Sequence, residues 1–276
     1  MLKQRTLTAL ILAPLAIAII LFLPTSAVAL IISALCLVAV WEWARLAGIE
    51  SPAVRALAVA FNAGLFVVLW SIREEPLSWF VIVVGLLWWL LSLLWMRSFS
   101  YAAAPTRENA AIKLIACELS ILPSWLALMK LHAGTDHGHA WALFAVALIW
   151  TADIAAYFAG SRYGTTKLSP RISPNKTTAG AWGALAGAGV LALICGWAFG
   201  QRGLALAALV VVALIAVIAS IIGDLFESLL KRQASVKDSG ALFPGHGGLL
   251  DRLDSLFAAL PVFVAGKALL DHLFVP

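Results

Sequence analysis

The sequence predicts an all-α, polytopic membrane protein with about nine transmembrane helices. Of its 276 residues, 63% are hydrophobic and only 12% are charged, and the mean hydropathy is +0.98. Soluble domains are about 45–50% apolar and about 25% charged, so this chain lacks the polar residues to cover a core of its size. Lipid must cover the core instead, and the apolar residues fall in stretches near the ~20 residues that span a bilayer.

Nine apolar stretches are predicted as spans from their length and hydropathy. They are 7–23, 27–47, 56–72, 77–96, 112–132, 140–160, 179–200, 203–223 and 255–272. The first stretch follows Lys3 and Arg5 and precedes Ala27, a pattern that resembles a secretory signal peptide. We expect an uncleaved helix here, because the run is long and a second apolar run follows at once.

Basic residues set the predicted orientation. If the N-terminus lies inside and the spans alternate, 15 of the 19 Lys and Arg residues lie inside and 4 lie outside, as the positive-inside rule requires. The polar segments 161–178 and 231–254 then share the inner face. Tryptophans near predicted helix ends, such as Trp43, Trp95 and Trp141, are expected to form interfacial belts.

A polar stretch follows the sixth span. Within that span Asp153 lies one turn before Tyr157 on the same helix face, where a packing hydrogen bond and a functional role explain it equally well. The loop 161–178 holds basic residues, hydroxyls and glycine without any acid, which favours phosphate binding over a plain positive-inside loop. Its end, Ser173 to Thr178, is predicted to open a helix whose positive end faces the same side.

The segment 223–255 is the most informative. Asp224, Glu227 and Lys231 are spaced to share one helix face, and Asp251 and Asp254 share the start of the next helix. Carboxylates hold Mg²⁺, and cations neutralise phosphate oxygens. The combination is typical of phosphoryl or nucleotidyl transfer. A solvated salt-bridge loop is the alternative, but it explains the two pairs of acids poorly.

At these residues the sequence resembles the phosphatidate cytidylyltransferase (CDP-diacylglycerol synthase) family. The family signature S-x-φ-K-R-x4-K-D-x-G-x2-φ-P-x-H-G-G-φ-x-D-R-φ-D is complete over the 27 residues from Ser228 to Asp254. Two upstream stretches are also similar, one from Asp153 to Lys167 and one from Ser173 to Gly180. In the second stretch, Ala179 stands where the family has an acid and Thr178 where it has an aromatic residue.

The resemblance implies that CTP and phosphatidic acid give CDP-diacylglycerol and pyrophosphate, with Mg²⁺ as the cofactor and a second metal ion left open. We expect Asp224 and Asp251 to bind the metal, with Asp254 as the candidate for a third ligand. The expected catalytic residues are Lys231, Arg232, Lys237, His246 and Arg252. We expect His246 to donate to a phosphate or to organise the loop rather than to act as a base. The substrate-binding residues are Asp153, Tyr157, Ser173, Lys176, Thr177 and Ser228.

The expected organisation is an N-terminal transmembrane scaffold, 1–110, and a C-terminal catalytic region, 111–276. In the scaffold, Glu42 near a helix end is expected to point to the interface. We expect a bacterial cytoplasmic membrane protein with its site facing the cytoplasm, membrane lipids as partners and no nucleic acid. The oligomeric state stays open, with a homodimer among the options. Rival functions are a CTP-dependent polyprenol kinase and an ion-coupled transporter that uses Asp153 and Asp224.

Overall fold

A computed structural model describes residues 2–134, 137–240 and 247–274, with the side chains described from residue 12 onward. These residues form nine α-helices and one two-stranded hairpin. The elements in chain order are α1 (Leu2–Phe22), α2 (Thr25–Leu46), α3 (Pro52–Ile72), α4 (Leu77–Arg97), α5 (Arg107–His132), α6 (Gly138–Tyr163), β1 (Lys167–Ser169), β2 (Ser173–Thr177), α7 (Thr178–Ala198), α8 (Gly203–Gln233) and α9 (Leu250–Phe274).

Every predicted span coincides with a helix, so the all-α polytopic fold is confirmed. By length and apolar composition, the eight helices α2 to α9 could cross a membrane, and α1 has an apolar stretch at Leu12–Phe22. The helices α8 and α9 extend beyond their predicted spans, to Gln233 and back to Leu250. Asp224, Glu227, Asp251 and Asp254 therefore all lie on the ends of these two helices, as their spacing predicted.

Two prolines are accommodated by α4, which packs against both helices that carry them. A proline removes the N–H that would bond the carbonyl four residues earlier. Before Pro261 in α9 that carbonyl belongs to Phe257, and the indole N–H of Trp89 donates to it at 3.1 Å. Beside Pro123 in α5, Gly85 makes room, because a Cβ there would collide with the proline ring. These contacts join α4, α5 and α9.

Small residues let α6 and α7 approach closely. A Cβ added at Gly187 would lie 2.7 Å from the Cβ of Ala155, and one added at Gly183 would collide with Ala159. Such small-residue contacts are the usual way in which membrane helices pack without a hydrophobic driving force. The close packing places the first turn of α7 against Ala156 and Gly160 of α6.

An aromatic cluster sets the rotation of α8. Phe226 is fully buried and makes edge-to-face contacts with Trp88, Trp89 and Trp95 of α4, with ring centroids 5.3–6.1 Å apart. Since residues 224 and 227 point away from 226 on a helix, the neighbouring acids face the other side. The expected belt is wrong for Trp43, Trp95 and Trp141, which are 2%, 7% and 6% exposed and pack inside the bundle.

The segment before α7 differs from its prediction. Ser173–Thr177 is a strand that pairs antiparallel with β1, in the register Lys167 to Thr177 and Ser169 to Ser173, and the helix begins only at Thr178. Pro174 disfavours helical geometry at Ser173, and the pairing with β1 holds the segment extended as far as Thr177. Thr177 then caps α7, and its hydroxyl accepts from the N–H of Gly180 at 3.1 Å.

Gly187→Ala should destabilise the protein by about 1–3 kcal/mol, because the added methyl group meets the rigid Cβ of Ala155. Gly189→Ala on the same helix is the control, since its nearest neighbour would be a leucine methyl at 3.8 Å. That variant should gain up to ~1 kcal/mol from helix propensity. Thermal unfolding in detergent measures both, and equal behaviour of the two variants would contradict the proposed helix contact.

Candidate active site

A cavity of about 600 Å³ lies among α6, the hairpin, α7 and α8. It brings together five residues that the sequence assigned to the site, because α6, β2 and α8 each contribute to its wall. Its polar lining consists of Asp153, Tyr157, Ser161, Asn175, Lys176, Thr177, Ser220, Asp224 and Ser255. Small residues of α6 and α7, together with Leu168 of β1 and Ile221 of α8, complete the wall.

Three acids meet at the edge of this cavity. One carboxylate oxygen from each of Asp224, Glu227 and Asp254 lies within 4.8 Å of the other two. Asp224 and Glu227 come from one face of α8, as their spacing predicted, and Asp254 comes from the first turns of α9. Glu227 and Asp254 are 1% and 8% exposed. We name these three residues the acidic cluster.

Close approach of α8 and α9 requires Gly223. A Cβ at this position would lie 2.5 Å from the backbone oxygen of Asp254. The glycine thus lets the backbones of α8 and α9 meet one residue before Asp224. Helix geometry then directs the carboxylates from both helices into the same space.

Two lysines flank the acidic cluster. Lys176 of β2 forms an ion pair with Asp224, and Lys231 lies 2.5 Å from an oxygen of Glu227 one turn away on α8. Lys231 also contacts Asp251 at 2.6 Å. Buried acids need such partners, because an uncompensated charge in a low-dielectric environment is costly. The ion pair between Lys176 and Asp224 therefore holds the hairpin against α8 beside the acidic cluster.

Asp251 lies beside the acidic cluster but is not one of its three members, and its assignment to the metal stays a prediction. One of its oxygens binds Lys231, and the other accepts from the N–H and hydroxyl of Ser239, each at 3.0 Å, and from the N–H of Gly248 at 2.7 Å. Glu227, which the sequence did not assign to the metal, joins the acidic cluster instead. The sequence assigned both α9 acids to the metal, and the packing of α9 places only Asp254 within the acidic cluster.

The expected interfacial position of Glu42 is wrong. This carboxylate is 6% exposed and accepts from the N–H groups of Leu249 and Leu250 at 3.1 and 2.8 Å. Its oxygen Oε2 also lies 3.0 Å from the hydroxyl of Ser239, whose single proton can be donated either to Glu42 or to Asp251. The position of Glu42 between Trp41 and Trp43 suggested no such contact, because the partners are about 200 residues away. Helix α2 of the N-terminal half thus contacts the family signature, Ser228 to Asp254, directly.

The remaining predicted residues lie around this core. Arg232 donates weakly to the carbonyls of Ile172 and Val236, at 3.4 and 3.5 Å, and links α8 to the hairpin. The side chains of Lys237 and Arg252 are exposed, Ser228 is buried in α8, and Ser173 lies in the hairpin beside Ser169. His246 falls outside the described residues, so its role stays a prediction.

The acidic cluster fits a divalent cation. The oxygen Oε1 of Glu227 is buried and has no hydrogen-bond partner among the described residues. The four carboxyl groups of the acidic cluster and Asp251 outnumber the two lysines that contact them, so a cation could replace protons or lysines as their partner. Oxygen ligands of this kind suit Mg²⁺, which takes few protein carboxylates and leaves positions for phosphate.

The fold and this site together define an integral membrane enzyme that handles phosphate groups next to lipid. The model of the Cytidylyltransferase family matches residues 3–269. The phosphatidate cytidylyltransferase of Pseudomonas aeruginosa is 40% identical over 269 residues, which cover 96% of each chain. That of Haemophilus influenzae is 36% identical and covers 95% of this chain and 97% of its own. The chain belongs to the cytidylyltransferase family and is a nucleotidyltransferase.

Glu227→Gln and Asp254→Asn should each weaken divalent cation binding at least ~10-fold, because each removes a carboxylate of the acidic cluster. Asp251→Asn should weaken it less, since both of its oxygens already accept from protein donors. Titration of the purified protein with Mn²⁺, followed by electron paramagnetic resonance, measures the affinity. Asp271→Asn, which affects only a pair with Lys267 at the far end of α9, is the control.

A loss in Asp251→Asn equal to that in Asp254→Asn would contradict this arrangement. It would mean that the bound ion draws Asp251 away from Lys231 and that the sequence-based assignment describes the loaded site.

Proposed function

We propose that this chain catalyses a magnesium-dependent transfer of the cytidylyl group from CTP to phosphatidic acid. The products are CDP-diacylglycerol and pyrophosphate. Phosphatidate cytidylyltransferase activity follows from the family and from the near-full-length identity with the two relatives. The observation that supports the metal-dependent form is the acidic cluster, which adjoins a cavity carrying Lys176 and Thr177.

In this reaction an oxygen of the lipid phosphate forms a bond to the α-phosphorus of CTP. The bond between the α-phosphorus and the bridging oxygen breaks, and pyrophosphate leaves with the electron pair. The attacking phosphate is already an anion at neutral pH, so the reaction does not need a strong general base. Catalysis then depends on positioning and on charge neutralisation, which the lysines of the site supply.

The protein groups divide this work by position. Lys176 lines the cavity on the hairpin side and can neutralise phosphate oxygens when it exchanges Asp224 for the nucleotide. The first turn of α7 presents its N–H groups and positive dipole end beside Thr177. Mg²⁺ bound at Asp224, Glu227 and Asp254 would supply further positive charge to the phosphates. Lys237 and Arg252 are exposed and would add further positive charge for the phosphates.

The lipid has an apolar route to the cavity. Tyr157 lines the cavity and is 70% exposed, and Phe158 packs against it with ring centroids 5.6 Å apart. Ala181 and Ala184 leave space on the α7 side. A phosphate head group beside Lys176 would therefore have its acyl chains along the outer surface of α6 and α7, where lipid covers the protein.

The site is proposed to face the cytoplasm. All the loops that carry the site lie on the side that receives 15 of the 19 basic residues when the spans alternate. CTP is a soluble nucleotide, so a site on this face would allow it to meet a membrane lipid without crossing the bilayer. The bacterial relatives fit a bacterial cytoplasmic membrane.

Purified protein given phosphatidic acid, Mg²⁺ and CTP labelled at the α-phosphate should place label in chloroform-extractable lipid. The label should disappear with EDTA or without phosphatidic acid, because both the cation and the acceptor are required. Label transferred to lipid only from γ-labelled CTP would contradict the proposal and indicate a kinase. If a preparation transfers no label, a cooperative thermal unfolding transition shows whether its protein is folded.

Lys176→Gln should lower kcat/KM for CTP by roughly 10²–10³-fold, since one cation that faces the phosphates is lost. Lys267→Gln breaks the ion pair with Asp271 outside the cavity and should leave kcat/KM unchanged. Steady-state rates over a range of CTP concentrations measure both variants. A normal kcat/KM in Lys176→Gln would remove this lysine from the proposed site.

A further inference from the structure

Glu42 of α2 holds the start of α9. Its two carboxylate oxygens accept from the N–H groups of Leu249 and Leu250, and α9 begins at Leu250. A carboxylate at this place satisfies N–H groups that have no partner within the helix and opposes the positive end of its dipole. The sequence separation is 207 and 208 residues, so this cap is a tertiary contact rather than a local one.

The chain closes tightly around this carboxylate. A Cβ at Gly240 or at Gly248 would collide with the Glu42 side chain, and one at Gly248 would also collide with the hydroxyl of Ser239. Arg45, one turn further along α2, donates to the carbonyls of Ser239 at 2.5 Å and Asp238 at 3.2 Å. We call the chain between α8 and α9 the signature loop. Asp238 and Ser239 at its beginning and Leu249 at its end are thus attached to one turn of α2.

The contacts continue from Glu42 to the acidic cluster. The hydroxyl of Ser239 lies 3.0 Å from Glu42 and 3.0 Å from Asp251, and the Ser239 N–H donates to the same oxygen of Asp251. Asp251 binds Lys231 at 2.6 Å, and Lys231 lies 2.5 Å from Glu227. We call this series of contacts the Glu42 relay. Each member is fixed by the next, because buried charged partners strongly favour paired geometry.

We propose that Glu42 is a positioning residue for the transfer reaction. Through Ser239 and Asp251 it fixes the direction in which Lys231 meets the acidic cluster, and through Leu249 and Leu250 it fixes the start of the helix that carries Asp254. This inference rests on the proposed function. Glu42 does not line the cavity, so it acts through other residues rather than on the substrate.

The first readout needs neither metal nor activity. Glu42→Gln keeps the size of the side chain but removes its charge and one acceptor. Hydrogen exchange of the 247–252 peptide, in detergent without added metal, should become faster by on the order of tenfold. Peptide 167–177 from the hairpin, which does not contact Glu42, should exchange at the wild-type rate. Glu50→Gln, an exposed acid just beyond α2, is the matched control and should change neither peptide.

The second readout is the Mg²⁺ concentration for half-maximal lipid labelling. In Glu42→Gln it should rise severalfold, because Lys231 and Asp254 lose their fixed positions. A smaller folded fraction would lower the rate without moving this concentration. Ser239→Ala breaks the Glu42 relay but keeps the cap on α9, so it should raise the Mg²⁺ requirement and leave exchange at Leu249 and Leu250 near wild type. If Glu42→Gln does not fold, Ser239→Ala still tests the positioning role through its Mg²⁺ requirement.

If hydrogen exchange of peptide 247–252 is unchanged in Glu42→Gln, Glu42 does not cap α9. If the Mg²⁺ concentration for half-maximal labelling is unchanged in both Glu42→Gln and Ser239→Ala, Glu42 has no positioning role. Failure of the proposed function is separate, because it would appear as wild-type protein that labels no lipid. The exchange measurement would still test the cap in that preparation.

Discussion

Three carboxylates share one small space at the polar end of the helix bundle, and their repulsion constrains everything around them. At separations of at most 4.8 Å, two such charges repel by about 3–4 kcal/mol at an effective dielectric constant of 20. Lys176 and Lys231 offset part of this repulsion, but each must be held in place to do so. The hairpin positions Lys176. The aromatic contacts of Phe226 fix the rotation of α8, and the capped start of α9 fixes the helix that carries Asp254. The remaining negative charge suits a divalent cation and the phosphates that accompany it.

The division between scaffold and site is less sharp than the chain order suggests. The helices α4 and α2 carry no residue of the cavity wall. Yet Trp89 completes the hydrogen bonding of α9 at its proline, and Phe226 packs among the tryptophans of α4. Glu42 and Arg45 attach the signature loop to α2. Apolar packing thus fixes the rotation of the helices, and a few buried polar contacts fix the loop.

The sequence predicted what depends on local pattern. Hydropathy located the spans, and periodicity placed Asp224, Glu227 and Lys231 on one face of α8. The signature residues between Ser228 and Asp254 indicated the chemistry. The sequence could not predict which acid of α9 joins Asp224 and Glu227 and which one pairs with Lys231, since Asp251 and Asp254 are one turn apart and only tertiary packing distinguishes them. The role of Glu42 was hidden for the same reason, because its partners are about 200 residues away.

The central claim is that the acidic cluster holds a divalent cation beside the nucleotide. Anomalous scattering from crystals of the wild-type protein grown with Mn²⁺ and a non-hydrolysable CTP analogue tests it most directly. The account predicts an anomalous peak within coordination distance of Asp224, Glu227 and Asp254, with phosphate oxygens on its open side. A peak bound by Asp251 and the signature loop, with the three clustered acids still paired only to lysines, would contradict the account.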